Sequence, residues 1–128
     1  MRMKLTILVA GLGLVCLTVP VVAHHAVGAE YDADKPVTLK GTVTKIEWTN
    51  PHSRLYLDVK EADGTVANWN LELTARSALV RQGWTSRSVS VGEELTVVGH
   101  LARSGAKMIN AQEITAADGR PVLKGVNE

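Results

Sequence analysis

The sequence lacks phenylalanine, has almost no cysteine and has no marked excess of positive or negative charge. It contains no phenylalanine and one cysteine, Cys16, which lies inside an apolar N-terminal run. A single cysteine cannot form a disulfide within the chain and offers no thiolate pair for a metal site. The 14 basic and 13 acidic side chains give a formal charge of +1 and form no basic run. This balance argues against nucleic acid as a partner, because nucleic-acid binding relies on clustered cations.

The first 23 residues have the three parts of a secretory signal peptide. Arg2 and Lys4 form the charged start, residues 5–19 are almost entirely apolar, and Pro20 precedes the small residue Ala23. An apolar run of about 15 residues is shorter than the roughly 20 that a transmembrane helix needs. We therefore expect export, cleavage after Ala23, and a periplasmic or secreted protein without a transmembrane anchor.

Two other interpretations of this segment stay open. Cleavage after Ala29 would remove both histidines that follow Ala23, but the cut would lie far beyond the proline that ends the apolar run. Lipid attachment at Cys16 is disfavoured by the bulky Val15 before it. Cleavage after Ala23 leaves 105 of the 128 residues, enough for one domain with a modest core. The remaining chain has no cysteine, which excludes thiolate catalysis.

Alternating hydrophobicity predicts β-strands in the remaining chain. After a polar N-terminal arm (24–36), Gly41 permits a bend or bulge in the first strand. Turn sequences rich in glycine separate the later strands, and the segment AADG with a short tail ends the chain. The predicted strands cover residues 37–48, 54–60, 65–73, 95–102 and 108–115.

A short helix is predicted between the third and fourth strands. Over residues 74–84 the hydrophobic pattern takes the helical period, with Thr74 or Ser77 as N-cap and Gly83 suited to the left-handed position after the helix. This element order is that of the OB-fold, a five-stranded Greek-key barrel. We therefore predict an all-β domain over residues 37–128 with one short helix; a plain five-stranded sandwich is the alternative. The expected core comprises Leu39, Val43, Leu57, Val59, Trp69, Leu71, Leu95 and Val97.

Histidines at the start of the mature chain and in one loop predict a metal site. Cleavage after Ala23 makes His24 the first residue, so its α-amino group and its imidazole can close a chelate on one ion, with His25 as a further donor. Nitrogen donors in a plane suit Cu(II), which also leads the affinity order of divalent ions. His52 lies in TNPHS, a loop stiffened by proline, where OB-folds bind ligands. We therefore predict one copper ion, ahead of zinc, held by His24, His25 and His52.

The same residues allow simpler interpretations. Polar residues behind a cleavage site can assist processing and stay unstructured, and His52 can bond a backbone carbonyl in its turn. His100 is expected at the surface or at the barrel rim, outside the metal site. The three tryptophans are first of all large core side chains in a domain without phenylalanine, although Trp48, beside the loop, is a candidate platform for a ligand.

No sequence signature of an enzyme is present. The chain has no Gly-x-Ser-x-Gly elbow, no glycine-rich phosphate loop and no paired-histidine helix of a metalloprotease. An N-terminal histidine that holds copper is similar to the copper site of oxidative polysaccharide enzymes in that one residue, and the chain is short for their substrate surface. We therefore expect a metal-binding protein without enzymatic activity. The alternative is an interaction module whose barrel rim and Trp48 bind a small molecule or another envelope protein.

Two long segments resemble a family of small exported bacterial proteins of unknown function. The segments are AHHAVGAEYDADKPVTLKGTVTKIEWTNPHS and RQGWTSRSVSVGEELTVVGH, and the resemblance covers nearly the whole mature chain. The family's landmarks fall on the two histidines of the arm, on residues 30–32, on EWTNPH and on residues 83–84. The chain departs from the family at Ala26, where serine is common, and at Arg54, where a bulky apolar or aromatic residue is expected. The resemblance implies export and a shared architecture, without an established activity.

Overall fold

The computed structural model describes residues 27–124, which contain six β-strands, helical residues at 27–30 and one short helix between the third and fourth strands. The predicted signal peptide, its cleavage site and the histidines His24 and His25 lie outside these residues. Among the residues described, no helix is long and apolar enough to cross a membrane. In chain order the elements are β1 (Tyr31–Glu47), β2 (Arg54–Lys60), β3 (Val66–Glu72), α1 (Arg76–Arg81), β4 (Glu94–Ala102), β5 (Met108–Ala116) and β6 (Pro121–Leu123).

Five of the strands close into a barrel-like ring. The order around the sheet is β3-β2-β1-β4-β5, and β5 returns to pair with β3 in parallel, with Leu71 opposite Ile109. The other neighbouring strands in this ring pair antiparallel. The predicted class, all-β with one short helix in an OB-like order, is therefore confirmed. The ring depends on β1, which has 17 residues and pairs with β4 through its N-terminal part and with β2 through its C-terminal part.

Gly41 lies where β1 is paired on both sides, and the absence of a side chain permits the close approach of β2. A Cβ at this position would lie 2.5 Å from the backbone oxygen of Asp58, which is too close for any other residue without a backbone shift. The register between β1 and β2 changes a little further along, between Val43 and Lys45. The glycine at which the sequence predicts a bend or bulge is therefore required at the point where β1 pairs with both β2 and β4.

The core matches the expected set with one exception. Leu39 is only partly buried, although it packs against the core. Leu39 precedes Gly41, which is the first residue of β1 that pairs with β2. At Leu39, β1 therefore has a neighbouring strand on one side only, which is β4. Helix α1 adds Leu79, which is fully buried. The other seven predicted core residues are at most 9% exposed: Val43, Leu57, Val59, Trp69, Leu71, Leu95 and Val97.

Strand β1 begins earlier than the sequence predicts. Its first residue is Tyr31 instead of residue 37, because Tyr31 and Asp32 pair with the end of β4. A register irregularity follows between Asp32 and Pro36. The polar residues in that stretch are exposed on both sides, so hydrophobic alternation could not mark them as strand. The strand ends at Glu47, which leaves Trp48 just beyond it.

Helix α1 is shorter than predicted, and its N-terminus is capped by a distant loop. It has six residues, and neither Thr74 nor Ser77 is the N-cap; that position is Ala75, which makes no side-chain cap. The carbonyl of Thr49 instead accepts a hydrogen bond from the first helical N–H at 3.2 Å, and Oδ1 of Asn50 accepts one from the second at 3.4 Å. These groups satisfy N–H donors that a helix leaves free. The loop between β1 and β2 therefore holds the start of the helix.

A sixth strand follows β5 where the sequence predicts only a tail. Strand β6 pairs with β5, with Leu123 opposite Ile114. Leu123 is 3% exposed and belongs to the core. Three residues are too few for hydrophobic alternation to show, which explains why this strand was missed.

Replacement of Leu57 by alanine tests the strand register. Leu57 is fully buried at the centre of β2, so the variant should lower the free energy of unfolding by about 2–5 kcal/mol in urea denaturation. Leu39→Ala is the matched control and should cost less, because Leu39 is only partly covered. A loss below about 0.5 kcal/mol for Leu57→Ala, the range of surface substitutions, would contradict the packing described.

Candidate functional site

The ring of His52 is fixed through one of its two nitrogens. Nδ1 lies 3.1 Å from the carbonyl oxygen of Leu73 and 3.3 Å from Oε1 of Glu72. Both neighbours are acceptors, so in the neutral ring Nδ1 carries the proton and Nε2 keeps its lone pair. The side chain is 38% exposed. His52 thus bonds a backbone carbonyl, as the simpler interpretation expects. That carbonyl belongs to Leu73, just after β3, and the bond leaves the second ring nitrogen, Nε2, as the possible metal donor.

The loop that carries His52 is closed by hydrogen bonds at several points. The hydroxyl of Thr49 donates to the carbonyl of His52 at 2.9 Å, and the hydroxyl of Ser53 donates to the carbonyl of Thr49 at 3.0 Å. The backbone of Ser53, a residue only 1% exposed, bonds Leu73 and Thr74 beyond β3. The loop is therefore tied to itself and to the adjoining strand, which supports the sequence-based expectation of a stiff loop.

Glu72 is a buried carboxylate on which three parts of the chain converge. Only 5% of its side chain is exposed. Its Oε2 accepts hydrogen bonds from the Tyr31 hydroxyl at 2.6 Å and from Nη2 of Arg54 at 3.2 Å, while Oε1 faces His52. Arg54 also donates to Oδ1 of Asn70 at 3.1 Å. The guanidinium and the hydroxyl offset the cost of removing this carboxylate from water.

Tyr31 connects the N-terminal arm to this cluster. It is the first residue of β1 and only 2% exposed. Burial, the hydrogen bond to Glu72 and the negative charge of that carboxylate raise the pKa of the Tyr31 phenol above its ordinary value. The phenol is therefore protonated at neutral pH and acts as the donor in this bond.

Arg103 holds the segment that leads into Tyr31. Its Nε donates to the carbonyl of Gly28 at 3.2 Å, and its backbone N–H donates to the carbonyl of Glu30 at 2.9 Å. Its guanidinium also lies 3.5 Å from a carboxylate oxygen of Asp32. The end of the arm is thus attached to the loop after β4, next to the pairing of β1 with that strand.

Trp48 contributes to an aromatic pair beside the same loop. Its ring stacks on that of Trp84, with centroids 6.2 Å apart and planes inclined by 10°. Gly83 has the predicted left-handed conformation, with φ +91°, and the N–H of Trp84 then donates to the carbonyl of Leu79 at 3.0 Å. Trp84 is buried and Trp48 half-buried. A pocket of about 210 Å³ lies beside the pair and is lined by Ile46, Trp48, Trp84, Thr85, Ser86 and Val89.

The predicted site residues are only partly covered by the structure. Of the metal ligands expected from the sequence, His52 alone lies within residues 27–124. His100 is half-buried on β4, opposite Asn110. That part of the chain holds no group of three or more histidine, cysteine, aspartate or glutamate side chains arranged to bind a metal. A site of the predicted kind therefore depends on the two histidines of the arm.

Sequence reasoning missed the central position of Glu72. The residue alternates with Leu71 and Leu73, which gives it the pattern of an outward-facing strand residue, yet it is buried by its partners. One signal was available in Arg54, which departs from the family pattern. An arginine at the first position of β2 pairs with the last position of β3, and that position is Glu72.

Comparison with known families shows where the chain belongs. The profile of a family of unknown function (DUF6152) matches residues 10–110. The chain belongs to this family. The match spans the arm, the β1–β2 loop and the Glu72 cluster, and it ends within β5. No curated protein matches the chain. Family membership confirms that the chain belongs to a family of unknown function, and it carries no activity with it.

Replacement of Tyr31 by phenylalanine tests the buried hydrogen bond. The variant leaves Glu72 with fewer donors, so the free energy of unfolding at pH 7 should fall by about 1–3 kcal/mol. Because the folded-state pKa of Tyr31 is raised, its contribution is fully present below the unfolded-state pKa of about 10 and is lost as the pH rises further. The difference between wild type and Tyr31→Phe in urea denaturation should therefore be constant from pH 7 to about pH 10 and shrink above it.

Tyr56→Phe is the matched control for this measurement. Tyr56 is half-buried on β2, where its ring lies 5.1 Å from the ammonium nitrogen of Lys45. Its replacement should change the free energy of unfolding by no more than about 0.5 kcal/mol, as expected for surface positions. Equal losses for the two variants would contradict a special role of the Tyr31–Glu72 bond.

Proposed function

We propose that this member of the family is an exported metal-binding protein that holds one Cu(II) ion in preference to Zn(II). The ligands are the amine and imidazole of His24 and Nε2 of His52, with His25 as a further donor. The observation that carries the proposal is the fixed ring of His52. Histidine ligands commonly donate their second N–H to a carbonyl or a carboxylate, and Nδ1 of His52 has both kinds of acceptor within 3.3 Å.

The contacts of Tyr31 support a role for the arm in the same site. The Tyr31 hydroxyl and Nδ1 of His52 approach opposite oxygens of one carboxylate, that of Glu72. The Tyr31 hydroxyl is therefore separated from the His52 ring by little more than the width of that group. His25 precedes Tyr31 by six positions, and residues 27–30 between them are helical, with a rise of only about 1.5 Å per residue, so His25 can lie roughly 13 Å from Tyr31. We propose that this reach brings the histidines of the arm to His52.

The donor set determines the choice of metal. A terminal amine and imidazoles are all nitrogen donors, and in a planar arrangement they suit Cu(II), which also binds such ligands more tightly than Zn(II). We propose binding without catalysis, because the one buried carboxylate near His52 is already engaged by Tyr31 and Arg54. Glu72 thereby orients the ligand and is not free to act as an acid or a base.

The proposal requires a particular N-terminus. The exported protein should begin at His24, which N-terminal sequencing or intact mass of material recovered from the cell envelope would establish. A chain that begins at Glu30 would lack both arm histidines, and the proposed site would then be impossible.

Calorimetry of the mature protein tests the ligand set. We expect one Cu(II) per chain at neutral pH and weaker binding of Zn(II). One extra residue before His24 should weaken Cu(II) binding, since the amine moves out of the chelate while the imidazoles remain. His52→Ala should weaken it by roughly 10–100-fold, the effect typical of a disturbed metal-site shell.

His100→Ala is the matched control, because it removes another half-buried imidazole and should leave the affinity for Cu(II) unchanged. Loss of affinity on extension alone would indicate a terminal site without His52. Affinity that survives both the extension and His52→Ala would refute the proposal, and the interaction-module interpretation would replace it.

A further inference from the structure

We infer that the pocket beside Trp48 and Trp84 binds a small, flat, uncharged aromatic molecule. The pocket shares no lining residue with the Glu72 cluster and uses none of the proposed metal ligands. It is lined by two indoles, two aliphatic side chains and two hydroxyl side chains, none of which is charged. Such a lining has nothing to pair with an ion, so a charged ligand would lose its hydration without compensation.

The size of the pocket restricts the ligand to one or two rings. Its volume is about 210 Å³. An apolar cavity of about 150 Å³ holds benzene, whereas pockets for drug-sized molecules begin near 300 Å³. A single aromatic ring with a short substituent, or two fused rings, therefore fits the space.

The orientation of the indoles favours a flat ring over a puckered one. The planes of Trp48 and Trp84 differ by only 10°, and both rings line the pocket. A planar ligand can extend this stack with the offset geometry that aromatic rings prefer, whereas a saturated ring of the same size cannot. Trp48 is only half-buried and can take part in such contact.

The pocket is formed before any ligand arrives. Trp48 adjoins Thr49, whose carbonyl accepts a hydrogen bond from the first N–H of α1. Trp84 follows the same helix, and its N–H is bonded to Leu79. The N–H of Thr85, another lining residue, donates to the Ser88 hydroxyl at 2.9 Å. Because these segments are already ordered, binding costs little conformational entropy.

Nuclear magnetic resonance of the mature protein tests this inference, with benzyl alcohol as the aromatic probe and cyclohexylmethanol as the saturated probe of similar size. The indole N–H groups of the three tryptophans give separate signals, so each one reports on its own surroundings. Those of Trp48 and Trp84 should shift with saturation on addition of benzyl alcohol. The signal of Trp69 should stay in place, because its N–H donates to Glu61 at 3.0 Å and its ring does not line the pocket.

Two variants locate the binding within the pocket. Trp48→Leu keeps apolar volume but removes the aromatic face, and it should weaken the binding of benzyl alcohol about tenfold, an effect followed through the signal of Trp84. Val91→Ala changes an exposed side chain outside the pocket and should leave the affinity unchanged. Wild-type protein itself decides the ligand class through the two probes, so the test does not depend on the folding of either variant.

The expected result is saturable binding of benzyl alcohol at least threefold tighter than that of cyclohexylmethanol. Equal affinity for the two probes would overturn the aromatic class. Shifts that do not saturate, or that include Trp69 to the same extent, would overturn the site. Unchanged affinity in a folded Trp48→Leu variant would do the same.

Discussion

A carboxylate that is almost completely removed from water destabilises a protein unless donors surround it, and Glu72 meets this requirement with groups from three separate parts of the chain. Tyr31 comes from the start of β1, Arg54 from the start of β2 and His52 from the loop between them. Loss of one donor would leave negative charge partly uncompensated at 5% exposure. Tyr31 of the arm, the first residue of β2 and the ring of His52 therefore meet at the same side chain.

Helix α1 depends on a second set of distant contacts. Six residues are too few to form a stable helix alone, because the first turn costs more entropy than its hydrogen bonds return. The helix is instead stabilised by the burial of Leu79 and by hydrogen bonds from its first two N–H groups to Thr49 and Asn50. The same bonds place Trp48 beside the residue that follows the helix, Trp84. The aromatic pocket is thus a consequence of how the helix is held.

The sequence was most informative where one local property determines the structure. Strand β2 was predicted to the residue, since its alternate side chains point into the core, and Gly83 adopts the predicted left-handed conformation. The caps of α1, the first residues of β1 and the burial of Glu72 depend on partners far along the chain. The Tyr31–Glu72 bond, for example, joins residues 41 positions apart. Neither periodicity nor propensity carries information at that range.

The two proposed sites share one loop, and the rigidity of that loop determines how they influence each other. His52 contacts Glu72, while Trp48 lines the pocket. Coupling between sites requires an element with two alternative arrangements that both ligands bias. Residues 49–53 are instead hydrogen-bonded to each other, to the segment after β3 and to α1. A loop held in one arrangement by these bonds transmits little between the two sites, so metal and aromatic ligand should bind independently.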